Sequence, residues 1–65
     1  MEWMSVGENI RKKRLAKSWK QATLAEKVDL SISYMGMIER GEKIPRLETF
    51  VNITNALDST SDEIL

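Results

Sequence analysis

The chain has 65 residues, enough for one small domain, and its ten basic residues balance its ten acidic ones. It contains no cysteine and no histidine, which excludes disulfides and thiolate chemistry and removes the commonest metal ligand and general base. The sequence has neither a membrane-spanning apolar run nor a signal peptide. We therefore expect a cytoplasmic protein that is not an enzyme, with no cofactor, no metal, no membrane contact and no small-molecule substrate.

The balanced total charge hides an uneven distribution. Residues 10–46 contain all ten basic residues and four acidic ones, a net charge of +6, and the remaining six acidic residues lie in the flanks. A concentrated positive region is typical of proteins that bind nucleic acid. The neutral total therefore does not argue against such a partner.

Apolar residues recur at helical spacing along the chain, and the sequence predicts an all-α fold of five short helices. A capping box, Ser5 to Glu8, begins the first helix, which carries Val6, Ile10 and either Arg14 or Leu15 on one face and ends near Lys17. Leu24, Ala25 and Val28 mark a second helix of about two turns, followed by a left-handed turn at Asp29.

Three further helices are predicted in the second half of the chain. Ser31 caps the third, which ends at Gly41, and the fourth spans roughly 46–57. A second capping box, Thr60 to Glu63, begins a short fifth helix. We expect one domain over residues 1–65, with residues 1–5 as a candidate N-terminal arm.

The helical spacing also predicts the hydrophobic core, which consists of Val6, Ile10, Leu15, Leu24, Ala25, Val28, Met35, Ile38, Leu47, Phe50, Val51, Ile53, Ala56 and Leu57. Trp19 is expected to cover this core at the connection between the first two helices. The ends of the chain leave apolar residues without a place in the core, namely Trp3, Met4, Ile64 and Leu65. We expect them to cover the bundle or to form a self-association surface.

The segment from Gln21 to Gly41 has the pattern of a helix-turn-helix, with two short helices, a brief turn and the small residue Ala25 at the expected crossing. Spacing alone leaves two interpretations open. One is a DNA-binding unit, and the other is an ordinary pair of antiparallel helices in a small bundle.

The identities of the residues at these positions favour the DNA-binding interpretation. The pattern Gln21-x2-Leu24-Ala25-x5-Ser31-x2-Tyr34-x3-Ile38-Glu39-Arg40-Gly41-Glu42-x2-Pro45-x-Leu47-Glu48-Thr49 resembles the Cro/phage-repressor (XRE) helix-turn-helix family, with its lambda-repressor-like DNA-binding domain. The likeness covers about residues 6–65. It implies a compact five-helix repressor-type bundle in which helices 2 and 3 bind DNA.

By this resemblance, helix 3 lies in the major groove and five positions face the bases: Ser31, Ile32, Ser33, Gly36 and Met37. Family members usually carry longer polar side chains at several of these positions. Ile32 suits a thymine methyl group and Ser33 suits almost any base, whereas packing against a neighbouring helix is the alternative for Met37. We therefore expect weak direct recognition of bases, with DNA shape or dimer spacing adding specificity.

The resemblance also implies contacts to the DNA backbone at five positions: Lys20, Gln21, Tyr34, Lys43 and Arg46. Lys20 and Arg46 stand where the family prefers the helix-capping residues Thr and Ser, so each exchanges a cap for a cation. The alternative for both is solvated surface charge. Arg14 and Glu39 match a pair that the family uses structurally, as an ion pair between helix 1 and the end of helix 3.

The function expected from these observations is a sequence-specific regulator of transcription that binds double-stranded DNA, most simply a repressor acting as a homodimer. The alternative is a protein-interaction module of the same fold, antitoxin-like or anti-repressor, that has weak or lost base recognition. Ile32, Gly36 and Met37 favour the alternative, because a weakly polar face with a methionine suits a protein groove. The positive middle of the chain favours DNA.

Overall fold

A computed structural model describes residues 3–59 and 64–65 of the chain. Within these residues the fold is all-α, and four helices follow one another: α1 (Trp3–Ala16), α2 (Gln21–Lys27), α3 (Ile32–Glu39) and α4 (Leu47–Ala56). The all-α prediction is confirmed, with four helices in place of five. The predicted capping box of the fifth helix, Thr60 to Glu63, lies outside the described residues.

All four helices end in the same way, with one residue in the left-handed region. These residues are Ser18, Asp29, Gly41 and Asp58, with φ between 53° and 77°. In each case the next backbone N–H donates to the carbonyl five residues earlier, as from Leu30 to Ala25 at 2.8 Å and from Glu42 to Met37 at 2.8 Å. This arrangement satisfies carbonyl groups that a helix end leaves without a partner. The turns predicted at Asp29 and Gly41 are confirmed.

The beginning of α1 differs from the prediction. The helix starts at Trp3, so Ser5 and Glu8 lie inside its first turns and do not cap it. Trp3, Met4 and Ser5 are therefore part of α1, and residues 1–2 of the predicted arm lie outside the described residues. Trp3 is partly buried and packs against the core, which holds the start of α1 in place.

The core contains one buried face from each helix, and its members are Val6, Ile10, Leu24, Ala25, Met35, Ile38, Phe50, Ile53, Leu57 and Ile64. Val28, Ala56 and Trp19 pack against it with partial exposure. Ile64 is fully buried, and its carbonyl accepts a hydrogen bond of 2.7 Å from the Asn9 amide. Of the two roles expected for Ile64, packing over the bundle is the one the structure shows.

Three residues predicted for the core are exposed instead. Leu15 is half exposed because Arg14, its neighbour, takes the place that follows Ile10 on the buried face of α1. On α4, Leu47 is 78% exposed in the first turn and Val51 is 40% exposed one turn later. The buried face of α4 runs through Phe50, Ile53 and Thr54, which leaves Val51 turned away from the core.

Two helices approach closely at Gly7. This residue is buried in α1, and a Cβ atom there would collide with the backbone carbonyl of Ile38 and lie 2.5 Å from the carbonyl oxygen of Glu39. Only a glycine lets the backbone of α1 come this close to the end of α3. The contact fixes α1 against α3, the helix on which the candidate site depends.

Candidate nucleic-acid interface

The helices α2 and α3 form the predicted helix-turn-helix. Ala25 is buried in α2, and the left-handed Asp29 turns the chain between the two helices. One face of α3 is fixed in the core by Met35 and Ile38. Its first turn is exposed on the opposite side.

The five predicted base-facing positions divide into two groups. Ser31, Ile32 and Ser33 are exposed around the beginning of α3, and Ile32 exposes 54% of its surface. Gly36 is buried and Met37 is half-buried. The accessible part of α3 is therefore its first turn.

Ser31 has a structural task at this end of the helix. Its hydroxyl oxygen accepts a 3.0 Å hydrogen bond from the backbone N–H of Tyr34. This is the predicted N-cap, and it leaves the hydroxyl hydrogen available to donate to an acceptor outside the helix. Tyr34 itself is half-buried and packs against the core.

Exposed cations stand at the starts of α2 and α4, where the sequence predicts that a capping side chain is replaced. Lys20 is the N-cap residue of α2 and Arg46 that of α4, and neither side chain caps its helix. A cation beside the positive end of a helix is unfavourable until an anion approaches. Lys43, in the loop before α4, is also exposed.

Gln21 links this surface to a buried ion pair. Arg14 donates to Glu39 through Nε at 2.8 Å and Nη2 at 3.0 Å, and the two side chains are only 8% and 2% exposed. The Gln21 amide nitrogen donates to the same carboxylate at 3.1 Å. Because a carboxylate only accepts, this bond determines which end of the Gln21 amide turns toward Glu39.

The third donor of Arg14 fixes the connection before α2. Its Nη1 donates to the carbonyl of Trp19 at 2.8 Å. The Trp19 ring lies 4.8 Å from Lys27 Nζ and 5.2 Å from Lys17 Nζ, measured to the ring centroid, as cation–π contacts. Arg14 thus holds both the end of α3 and the segment that presents Lys20 and Gln21.

Sequence reasoning missed one charged residue at the end of α3. Arg40 is exposed, and its Nε donates to Glu42 at 2.5 Å. The hydrogen bond from Arg40, together with its charge, holds the pKa of Glu42 below its usual value. The position of Arg40 four residues after Gly36, on the same side of a helix, is the sequence feature that could have indicated it.

Known proteins resemble this chain over nearly all of its length. A family model described as helix-turn-helix matches residues 10–64. The cryptic phage CTXphi transcriptional repressor RstR of Vibrio cholerae serotype O1 is 31% identical over 61 residues, which cover 94% of this chain and 54% of that protein. The chain thus spans about half the length of this curated relative.

Two solved structures have nearly the same fold. The restriction-modification controller protein C.AhdI from Aeromonas hydrophila has a TM-score of 0.91 and 33% identity, over 97% of this chain and 96% of that one. The clp gene regulator ClgR from Corynebacterium glutamicum has a TM-score of 0.93 and 25% identity, over 98% of this chain and 82% of its own. None of the helices in the described part of the chain is long and apolar enough to cross a membrane.

Proposed function

Since the chain belongs to the helix-turn-helix family of Cro/XRE type, we propose that it is a cytoplasmic, sequence-specific regulator of transcription that binds double-stranded DNA as a single domain. The observation that carries this proposal is the exposed first turn of α3, together with the uncapped, cation-bearing starts of α2 and α4. Lys20 precedes Gln21, whose amide lies against α3 at Gly36. The positive side chain and the recognition helix are therefore on neighbouring parts of one surface.

Buried pairing separates the structural charges from those that face solvent. Arg14 is neutralised inside the fold by Glu39, whereas Lys20, Lys43 and Arg46 are exposed. Lys20 and Arg46 replace a capping side chain that would stabilise the fold by about 1 kcal/mol. A phosphate group beside either helix start would relieve the unfavourable charge, which is a reason for DNA to bind there.

A salt titration of binding to mixed-sequence duplex DNA tests the proposal. Each phosphate that a cation neutralises contributes about 0.9 to the slope of log K against log salt. We expect Lys20→Ala and Arg46→Ala each to lower that slope by about one. Lys12→Ala is the matched control, because Lys12 is exposed on α1 and its removal should leave the slope nearly unchanged.

The same titration distinguishes the regulator from the second candidate, a protein-interaction module. The exposed Ile32 and half-buried Met37 on α3 favour that function, because apolar side chains there suit a protein partner. A module of this kind would not bind duplex DNA even at low salt. Absence of binding at low salt would overturn the DNA proposal.

We infer that the regulator acts as a homodimer through α4. Leu47 and Val51 are exposed on this helix one turn apart, and Ile44 in the preceding loop is 60% exposed. In a two-fold interface the same patch meets itself, so the exposed apolar side chains of one copy can pack against those of the other.

Sedimentation equilibrium tests this surface. We expect Val51→Glu to weaken self-association at least tenfold, because it places a carboxylate in the apolar centre of the interface. Leu15→Glu is the matched control, since Leu15 is exposed on α1 to a similar degree. Equal effects of the two variants, or a monomer at all concentrations, would contradict this interface.

The proposed direction of regulation is repression. It is supported by the similarity to the phage repressor RstR, and a domain of this size can block a promoter simply by occupying it. In vitro transcription from a promoter that overlaps the selected DNA site tests this, and we expect transcript levels to fall as protein is added. Increased transcription would contradict repression without contradicting DNA binding.

A further inference from the structure

A gap in the middle of α3 is filled by side chains from elsewhere. Gly36 has no side chain, and a Cβ atom there would lie 3.0 Å from Nη1 of Arg40 and 3.3 Å from Oε1 of Gln21. Arg40 is four residues further along, so its side chain leans back toward Gly36 on the same side of the helix. The guanidinium of Arg40 thus occupies the place that a residue 36 side chain would take.

This guanidinium differs from that of the buried Arg14. Arg14 is buried and uses Nε, Nη1 and Nη2 for bonds within the fold. Arg40 is exposed, and its bond to Glu42 uses Nε, with both side chains more than half exposed. An exposed pair of this kind contributes little to stability. The fold therefore does not depend on the Arg40 guanidinium, which can bind a group outside the protein.

The bond to Glu42 also orients the guanidinium. It holds the Nε edge toward the loop after α3, while Nη1 extends toward Gly36. A planar guanidinium with a fixed orientation is suited to two parallel hydrogen bonds with an acceptor pair. In the major groove, that pair is O6 and N7 of guanine.

We propose that Arg40 is a specificity-determining residue that recognises a guanine in the major groove from the position Gly36 leaves open. The inference rests on the proposed function, because it requires α3 to lie in that groove. Gln21 supports this arrangement from α2, where its bond to Glu39 keeps the amide beside Gly36. The middle of the recognition helix thereby gains a polar group that residues 36 and 37 themselves do not supply.

Selection of binding sites from random duplex DNA, carried out with the full chain and its variants, tests the proposal. We expect the wild-type protein to enrich a motif with a fixed guanine. Arg40→Gln removes the charge and the two parallel donors, so the preference for that guanine should fall by about 5- to 150-fold and the salt slope by about one. Arg40→Lys keeps the charge and can still donate to O6 and N7, so it should retain the slope and part of the preference.

Lys43→Gln is the control for loss of a nearby exposed cation, and it should lower the slope without changing the motif. Circular dichroism confirms that each variant is folded. A motif that Arg40→Gln leaves unchanged would overturn the role of Arg40 while leaving the proposed function intact. A wild-type protein that enriches no motif would overturn sequence-specific binding itself, and the role of Arg40 with it.

Discussion

Arg14 on α1 and Glu39 at the end of α3 form a buried ion pair through two parallel hydrogen bonds of 2.8 and 3.0 Å. The same carboxylate accepts from Gln21, and the same guanidinium donates to Trp19. The pair therefore joins three helices and the connection before α2. Removing one partner would leave the other charge buried without compensation.

We expect Glu39→Gln to lower the free energy of unfolding by about 3–5 kcal/mol, because Arg14 would remain charged and without its counter-ion. A domain of this size has a total stability of only roughly 3–10 kcal/mol, so much of the variant should be unfolded. Urea denaturation followed by circular dichroism measures the change. The double variant Arg14→Met with Glu39→Met should be less destabilised than either single change, and additive losses would contradict the pairing.

Gly7 and Gly36 should respond in opposite ways to the same substitution. Gly7→Ala forces a Cβ atom against the backbone carbonyls of Ile38 and Glu39, which cannot move without shifting α3, so a loss of about 1–3 kcal/mol is expected. Gly36→Ala meets only the ends of the flexible Arg40 and Gln21 side chains and should stabilise α3 by up to about 1 kcal/mol. Thermal unfolding compares the two, and equal losses would show that the close approach at Gly7 is not specific.

Ser18 ends α1 with φ at 60°, a conformation that a residue with a Cβ atom adopts at a cost of about 1–2 kcal/mol. Ser18→Gly should therefore raise the stability by about 1 kcal/mol, which corresponds to an increase in Tm of roughly 4–8 °C for a small domain. Ser33→Gly is the matched control inside α3, where glycine should lower the stability by about 0.5 kcal/mol. A decrease for both variants would contradict the left-handed turn.

Restoring a capping side chain at the start of α2 or α4 should raise the stability and lower the affinity for DNA. Lys20→Thr and Arg46→Ser each supply a capping hydroxyl and remove a cation from the helix start, so each should raise the stability by about 1 kcal/mol. Each should also weaken binding to duplex DNA through the loss of a phosphate contact. Ser31→Ala, which removes a cap that is formed, should lower the stability by a similar amount. Variants of Lys20 and Arg46 that gain stability without losing affinity would argue that these cations are not part of the interface.

The ion pair between Lys17 and Asp58 predicts a pH dependence at the end of α4. The hydrogen bond from Lys17, together with its charge, holds the pKa of Asp58 below the usual value. The pair therefore contributes to stability above the pKa of the unfolded chain, and its contribution disappears as the pH falls through the lowered pKa of the folded state. NMR titration should find the pKa of Asp58 raised in Lys17→Met, and an unchanged pKa would contradict the contact.

The sequence predicted those features of the fold that depend on local rules. Ser31 as a cap, the turns at Asp29 and Gly41, and the buried face of α3 follow from preferences that act within a few residues. The exposed positions Leu47 and Val51 were assigned to the core because helical spacing does not distinguish a face that packs inside from one that stays open to a partner. The spacing gives Ile64 no core position for a related reason, since only the tertiary fold shows what packs against it.

The candidate site was predictable in outline through the resemblance of its motif, and less so in detail. The sequence identifies α3 and the cations around it, but the burial of Gly36 depends on how two side chains fold over it. Arg40 lies over Gly36 only because of this tertiary arrangement. A glycine in the middle of a recognition helix therefore does not by itself show that a contact to DNA is lost. A side chain from another position can fill the space, as Arg40 does at Gly36.

Recognition of a specific DNA sequence by this chain is measured by a ratio of two dissociation constants. The affinity for the motif enriched by selection should be compared with that for a scrambled duplex of equal length, at one near-physiological salt concentration. For a sequence-specific regulator we expect affinity for the motif to exceed that for the scrambled duplex by a factor of about 10³ or more. Equal affinities for the two duplexes would contradict it.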